Sequence, residues 1–267
     1  MERLPTRSSQ GDHWKKLKED SEEKILQMEE VVGDGALGRK VRDPKQLPTR
    51  EEIILYFCPK NHSSIGMQRN AIATMGGFFE NRFVLEILTQ EYVDAFAVYL
   101  HDRIRQLGLS VHDVVLEVGA GQGRLSFFLA KKLKEIGEGL EVIAVDSHVD
   151  QITPAFPVRR MDSRTALELY QPKIVISSWM PKAQDWTPDF RAIPGLQEYI
   201  LIGSPDITGG IETWGNEDDD EGQAPEFTKD GFEKIELVKL SALQIAATDL
   251  ISEQGGSSSM TVSFRRA

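Results

Sequence analysis

The chain has 267 residues, of which 40% are hydrophobic and 27% charged, which suits one large domain or one domain with an extension. No stretch approaches the roughly 18 uninterrupted apolar residues of a membrane span, and the chain start lacks an apolar signal region. Cys58 is the only cysteine, which excludes disulfide frameworks and cysteine-based zinc sites. We expect a soluble protein without a metal site, located in the cytoplasm, with the nucleus as an alternative.

The net charge of −11 is concentrated in one part of the chain. Residues 206–236 carry 11 acidic and two basic side chains. Nucleic-acid affinity depends mainly on lysine and arginine contacts to phosphate, so this charge argues against a nucleic-acid partner. A local basic patch could still bind RNA, and that remains the second hypothesis.

The first part of the chain is predicted to be helical. Apolar residues recur at steps of three or four between Trp14 and Val32. Thr49 and Glu52 form a capping box ahead of a second helix, and a third is expected from Thr89 to Leu107. We therefore predict a helical N-terminal extension over residues 1–108 and a separate domain over residues 109–267.

The second part alternates short apolar runs with helical stretches, which is typical of a parallel α/β sheet. A helix is expected from Arg124 to Ile136. Two later runs alternate apolar and polar residues and predict an antiparallel C-terminal pair. The predicted strands are residues 114–118, 141–145, 173–177, 198–202, 232–238 and 260–264.

The strongest motif joins the first of these strands to the following helix through Gly119, Gly121 and Gly123. Glycine is needed where the backbone turns tightly and a ligand approaches too closely for a Cβ atom. The helix start adds oriented N–H donors. A glycine triplet alone is weak evidence, but this one has the strand–loop–helix context that a nucleotide site requires.

The glycine spacing and two carboxylates distinguish the possible ligands. The three glycines follow a G-x-G-x-G pattern rather than the G-x-G-x-x-G pattern of dinucleotide folds. Glu117 precedes the loop at a position that suits a ligand bearing an ammonium group, and Asp146 ends the second strand, where it could accept both ribose hydroxyls. On these residues the sequence resembles the class I S-adenosylmethionine-dependent methyltransferases.

This resemblance covers roughly residues 110–267 and implies a seven-stranded Rossmann-like sheet, mostly parallel, with an antiparallel C-terminal strand pair. It implies S-adenosylmethionine as cofactor and S-adenosylhomocysteine as product. It also implies an adenine contact from Asp162 and a lid formed by the N-terminal extension, where Phe78, Phe79, Asn81 and Arg82 are secondary candidates. The implied cofactor-binding residues are Glu117, Gly119, Gly121, Gly123, Asp146, Ser147, Asp162, Ser163, Ser178 and Arg82.

The segment after the fourth strand should face the transferred methyl group, because ligands sit beyond the carboxyl ends of parallel strands. It lacks the (Asn/Asp)-Pro-Pro-aromatic motif found in family members that methylate bases. Trp179, Met180 and Trp186 could form an aromatic wall for a cationic or planar acceptor. Alternatively, these side chains could be packing residues beneath the loop. Asp185 could act as a base or cap the next helix. The acceptor-pocket candidates are Trp179, Met180, Asp185, Trp186 and Trp214.

The sequence therefore predicts a methyltransferase that acts on a small-molecule or protein acceptor, with no assigned catalytic residue. The alternatives are an RNA methyltransferase, a non-catalytic cofactor sensor or scaffold, and a nicotinamide-dependent oxidoreductase. The oxidoreductase would need the third glycine one place later and would leave Glu117 without a role.

Overall fold

The computed structural model describes residues 40, 43–57, 85–152, 154–215, 224–246 and 259–267. The chain forms two compact units, which meet in sequence between Glu86 and Ile87. Helix 90–106 groups with the second unit, where it packs against the helix that follows the glycine loop. The boundary between the two units thus precedes residue 108, which is where we placed the boundary from the sequence.

In the first unit, helix α1 spans Arg50–Phe57. The predicted capping box at its start is present: the Thr49 N–H donates to the Glu52 carboxylate at 2.7 Å, and the Glu52 N–H donates to Thr49 Oγ1 at 3.1 Å. The predicted helix between Trp14 and Val32 lies outside the described residues.

The second unit is built on a seven-stranded sheet in the order β3-β2-β1-β4-β5-β7-β6. Strand β7 runs antiparallel to both of its neighbours, and the other adjacent pairs are parallel. This confirms the predicted sheet and its antiparallel C-terminal pair. The strands are β1 Val114–Val118, β2 Glu141–Asp146, β3 Arg159–Arg160, β4 Ile174–Ser178, β5 Glu198–Gly203, β6 Phe232–Glu236 and β7 Met260–Arg266.

Helices cover the sheet in two packed groups. The helices of this unit are α2 Gln90–Gln106, α3 Arg124–Glu135, α4 Val149–Ile152, α5 Ser163–Tyr170, α6 Thr187–Arg191, α7 Ile211–Trp214, α8 Glu226–Lys229 and α9 Val238–Ser241. Helix α2 packs on α3 and α9, and α5 packs on α6. The strand order reverses between β3 and β4, so the rule of right-handed crossovers assigns α3 and α5 to opposite faces of the sheet.

The core follows the predicted apolar stripes. In α3 the buried side chains Leu125, Phe128, Leu129 and Leu133 recur at helical spacing and face the sheet, as one side of an amphipathic helix should. The last four residues of β1 are buried, as expected for a central parallel strand covered on both faces. No described helix has the length and apolar character needed to cross a membrane.

Candidate functional site

The candidate site lies where the central strands end. Register places Val118 of β1 opposite Val145 of β2 and Ser177 of β4. The residues that follow these three positions therefore meet at one edge of the sheet. They are Gly119, Asp146 and Ser178, and they lie at the point where strand order reverses, which is where ligands bind in sheets of this kind.

The three glycines of the loop have left-handed backbones, but a Cβ atom on each would meet different surroundings. At Gly119 it would lie 2.8 Å from the Trp186 ring, and at Gly123 it would lie 2.6 Å from Val158 Cγ2. At Gly121, with φ of +53°, it would meet no atom of the described residues within 4 Å. Packing therefore explains the first and third glycines, whereas Gly121 presents bare backbone to open space.

Asp146 holds this open turn in place. One of its carboxylate oxygens accepts from the Gly121 N–H at 3.0 Å, and the other accepts from the His148 N–H at 2.7 Å. The side chain is 9% exposed. A carboxylate offers roughly four acceptor positions, so each oxygen can accept a further donor. Two neighbouring ribose hydroxyls match that capacity.

Glu117 lies beneath the loop and is 2% exposed. Its Oε2 accepts from the Ser126 N–H at 3.1 Å and from the Ser126 hydroxyl at 2.5 Å. Gly123 begins α3 without a capping side chain, so Glu117 supplies the acceptor that a capping residue normally provides. Burial, with a smaller contribution from the nearby Asp146 carboxylate, raises the pKa of Glu117 to about 7 against the lowering effect of the Ser126 hydrogen bonds.

Asp162, the predicted adenine contact, is exposed and follows the short edge strand β3. It caps α5 by accepting from the Thr165 N–H at 2.9 Å and from the Thr165 hydroxyl at 2.7 Å. These bonds lower the pKa of its carboxyl group. Ser163 is the first residue of α5, and the exposed Ser147 bonds through Oγ to the His148 ring at 2.8 Å.

The acceptor candidates separate into two groups. Met180 and Trp214 are 4% and 3% exposed and belong to the hydrophobic core, where the Trp214 indole N–H donates to the Thr208 carbonyl at 2.9 Å. Neither presents a surface to an acceptor. Trp179 and Trp186 are only half-buried. Trp179 also has φ of +56°, a backbone conformation that costs roughly 1–2 kcal/mol for a residue with a Cβ.

Asp185 forms the turn that begins α6. It accepts from the Thr187 N–H at 3.0 Å and from the Thr187 hydroxyl at 2.8 Å. The Thr187 hydroxyl oxygen also accepts from Arg191 Nη1 at 2.7 Å, and Arg191 Nε donates to Asp230 at 2.6 Å. The structure thus shows Asp185 bonded to the first residue of α6, whose N-cap position is Trp186, within a polar chain that ends at Asp230.

This polar chain borders a cavity of about 400 Å³. Four of its lining residues are acidic and one, Arg191, is basic, so the cavity favours a positively charged occupant. The lining residues are Asp185, Pro188, Arg191, Ala192, Glu212, Glu226 and Asp230.

Several predicted elements fall outside the described residues. These are Arg82 with its neighbours Phe78, Phe79 and Asn81, and residues 216–223 of the acidic segment 206–236. Their roles remain predictions. Within the described parts of the chain, no three His, Cys, Asp or Glu side chains are grouped as metal ligands would be.

Two features of the site were not predicted from the sequence. They are Ser126, the hydrogen-bonding partner of Glu117, and the polar chain from Thr187 through Arg191 to Asp230. Ser126 could have been found, because it stands at the third position of a helix whose capping residue is a glycine. No local signal connects Arg191 with Asp230, because their contact depends on how α6 and α8 pack.

Comparison with solved structures gives distant likenesses to methyltransferases. The 23S rRNA methyltransferase ErmE is 15% identical, with 67% of this chain and 68% of that one covered and a TM-score of 0.38. The DszA carbon methyltransferase is 11% identical, and the chain spans 60% of it at a TM-score of 0.40. Magnesium protoporphyrin IX methyltransferase from Synechocystis PCC 6803, solved with bound SAM, is 13% identical, with 81% and 91% covered and a TM-score of 0.37. No protein-family model matches the chain, and no curated protein does.

The seven strands, the antiparallel C-terminal pair and the strand–glycine loop–helix unit agree with the architecture that the sequence resemblance implied. The fold is therefore the Rossmann-like one expected from that resemblance, and this assignment rests on the chain's own topology.

The expectation that a nucleic-acid partner is unlikely is wrong. A 23S rRNA methyltransferase is among the solved structures that the chain resembles. Net charge is a sum over the whole chain, whereas binding to phosphate depends on the local arrangement of lysine and arginine. The value of −11 therefore does not exclude RNA.

Proposed function

We propose that the chain binds S-adenosylmethionine at the loop after β1 and transfers its methyl group to an acceptor. One observation carries the proposal: Gly121 turns bare backbone toward open space while Asp146 holds its N–H. This combination provides close approach for a ligand together with an acceptor for ribose hydroxyls. The Asp146 carboxylate also favours a positively charged ligand.

The residues of the site would divide the binding task. Asp146 would accept the ribose hydroxyls, and Asp162 would lie at the adenine end with Ser147 and Ser163 nearby. Glu117 acts below the ligand, because its bonds to Ser126 set the start of α3 and so the shape of the loop. Ser178, at the end of β4, completes the edge.

When bound, the cofactor supplies an electrophilic methyl group on a positively charged sulfonium. The protein's contribution is then to hold an acceptor in line with that group. Holding two reactants in a near-attack geometry removes much of the barrier, so a dedicated base is not required. This agrees with the absence of a paired base and nucleophile among the predicted acceptor residues.

For the acceptor we propose a small molecule or a protein side chain. The cavity of about 400 Å³ beside Asp185 is large enough for a small amine or an extended side chain, and its carboxylates favour a cation. The unusual backbone of Trp179 supports a role for this segment, since strained conformations cluster at functional sites. RNA is tested alongside these acceptors.

The experiment measures transfer of a labelled methyl group from S-adenosylmethionine to separate pools of metabolites, proteins and RNA. We expect incorporation by the wild-type protein and its loss in Asp146→Asn. The matched control is Asp94→Asn, which alters a surface carboxylate paired with Lys132 at 2.8 Å and should retain transfer. Incorporation into RNA alone would replace the proposed acceptor, and incorporation into no pool would contradict the enzymatic assignment.

A further inference from the structure

Trp186 lies directly against the glycine loop. Its ring atoms Cζ3 and Cη2 are 2.8 Å and 3.0 Å from the position that a Gly119 Cβ atom would take. The residue belongs to the segment after β4, whereas Gly119 follows β1. The contact therefore brings an aromatic ring from the acceptor side of the site to the first glycine of the cofactor loop.

The backbone around Trp186 is held from both sides. Its carbonyl accepts from the Phe190 N–H at 3.2 Å, and the next residue, Thr187, is fixed by Asp185 and by Arg191. The Arg191 side chain is only 6% exposed. A ring placed by such a turn is pre-organised, so little conformational entropy remains to be lost when a ligand packs against it.

Two carboxylates stand close to this ring in the fold and in the chain. Asp146 ends β2 next to the loop, and Asp185 precedes Trp186 in the chain. An indole face attracts a cation more strongly than a neutral thioether, whose sulfur makes weaker contacts with aromatic rings. The cofactor carries a positive sulfonium before methyl transfer and a neutral thioether afterwards, so a ring beside the loop can distinguish the two.

We propose that Trp186 is a specificity-determining wall of the cofactor site that favours the positively charged S-adenosylmethionine over its neutral product. The ring stands beside Gly119, is half-buried and belongs to a fixed turn. This inference rests on the proposed function, because it needs the cofactor to bind at the loop. It assigns to one residue the preference for substrate over product.

The test is calorimetric titration of S-adenosylmethionine and S-adenosylhomocysteine into the wild type, Trp186→Leu and Trp186→Phe. We expect Trp186→Leu to weaken S-adenosylmethionine binding roughly 3- to 30-fold, with a much smaller effect on S-adenosylhomocysteine. Trp186→Phe keeps an aromatic face and should retain part of the preference. The matched control is Tyr170→Leu, a half-buried aromatic residue before β4, which should leave the ratio of the two affinities unchanged.

A second readout is tryptophan fluorescence. Addition of either ligand should change the emission of the wild type, and the change should be clearly smaller in Trp186→Phe, which still contains Trp179 near the site. Equal weakening of both ligands in Trp186→Leu would overturn the proposal and make Trp186 a packing residue. An emission change that persists in full in Trp186→Phe would also overturn it. If the wild type binds neither ligand, the proposed function itself fails, and this inference fails with it.

Discussion

The two carboxylates at the candidate site have different tasks although they stand at the ends of neighbouring strands. Asp146 bonds to backbone N–H groups of the open loop. Glu117 is turned inward to Ser126, so its role is to shape the loop. At the scale of single residues, burial and hydrogen-bonding partners therefore distinguish Asp146, the proposed ligand contact, from Glu117, a supporting residue.

Asp146→Ala should affect both binding and stability. The change leaves two backbone N–H groups without their acceptor, so we expect a loss of roughly 1–3 kcal/mol in the free energy of unfolding. Affinity for S-adenosylhomocysteine should fall by about 1.5–3 kcal/mol, measured by calorimetry. In Asp94→Ala, the control, loss of the ion pair with Lys132 should cost less than about 1 kcal/mol of stability and leave the affinity unchanged. An unchanged affinity in Asp146→Ala would show that the ribose contact lies elsewhere.

Glu117 should make stability depend on pH. Its pKa rises from 4.5 to about 7 on folding because the side chain is buried. The folded state therefore binds the proton more tightly, and the stability that this proton provides is lost as pH rises between these two values. Urea unfolding of the wild type and Glu117→Gln at pH 5 and pH 8 measures the effect.

We expect the wild type to lose roughly 2–3 kcal/mol relative to Glu117→Gln between those two pH values, because the amide does not ionise. The exposed Glu135→Gln serves as control and should follow the wild type. A constant difference between the wild type and Glu117→Gln across this range would show that Glu117 titrates normally.

At the scale of elements, the glycine loop after β1 allows the effect of backbone strain to be distinguished from the effect of ligand contact. Gly121 and Gly108 both have positive φ, +53° and +63°, and a Cβ on either would meet no described atom within 4 Å. Only Gly121 belongs to the loop, whereas Gly108 follows α2. The pair therefore allows backbone strain to be measured apart from ligand contact.

Gly121→Ala and Gly108→Ala should each cost roughly 1–2 kcal/mol of stability, since both place a Cβ on a left-handed residue. Only Gly121→Ala should also weaken S-adenosylhomocysteine binding, because its Cβ enters the open space that we propose for the ligand. Thermal unfolding and calorimetric titration of both variants provide the two measurements. Full affinity in Gly121→Ala would mean that the open face of the loop is not a contact surface.

Helix α2 is tied to the sheet by a buried ion network. Glu198 of β5 is fully buried and accepts from Arg103 Nε at 2.6 Å, from the Ser263 hydroxyl at 2.5 Å and from Tyr99. Burial and the neighbouring Glu198 carboxylate raise the pKa of Tyr99 to about 12. The network joins one helix and two strands, which explains why α2 belongs to the sheet unit.

Glu198→Ala should lower the free energy of unfolding by roughly 3–5 kcal/mol, because it leaves the Arg103 charge buried without its partner. The matched control is Glu141→Ala, which removes an exposed ion pair with Arg159. That change should cost less than about 1 kcal/mol. Chemical denaturation of both variants gives the comparison, and similar losses would show that the Glu198 network is not stabilising.

At the scale of the whole molecule, hydrophobic patterning predicted the central strands and the helices α2 and α3 closely, because these elements are covered on their apolar faces. Strand β3 has only Arg159 and Arg160, both exposed, and is held by pairing to β2. Strand β6 ends before Val238, which belongs to a short helix. Where strand pairing or local helix capping determines the structure, hydrophobic periodicity does not predict it.

The candidate site was predictable in part. The loop, Glu117 and Asp146 were found because strand ends and glycine spacing are local features. The burial of Trp214 and the contact of Trp186 with Gly119 were not, because both depend on how distant segments pack. A tryptophan in a predicted loop is compatible with a pocket wall or a core residue, and only the fold distinguishes them.

Thermal unfolding with and without S-adenosylhomocysteine tests the central claim most directly, with NADH as the comparison ligand. At about 100 times its dissociation constant, S-adenosylhomocysteine should raise the free energy of unfolding by roughly 2.7 kcal/mol, and NADH should leave it unchanged. The same stabilisation should be strongly reduced in Asp146→Asn. No shift at millimolar S-adenosylhomocysteine, or a shift with NADH instead, would contradict the assignment of the loop as an S-adenosylmethionine site.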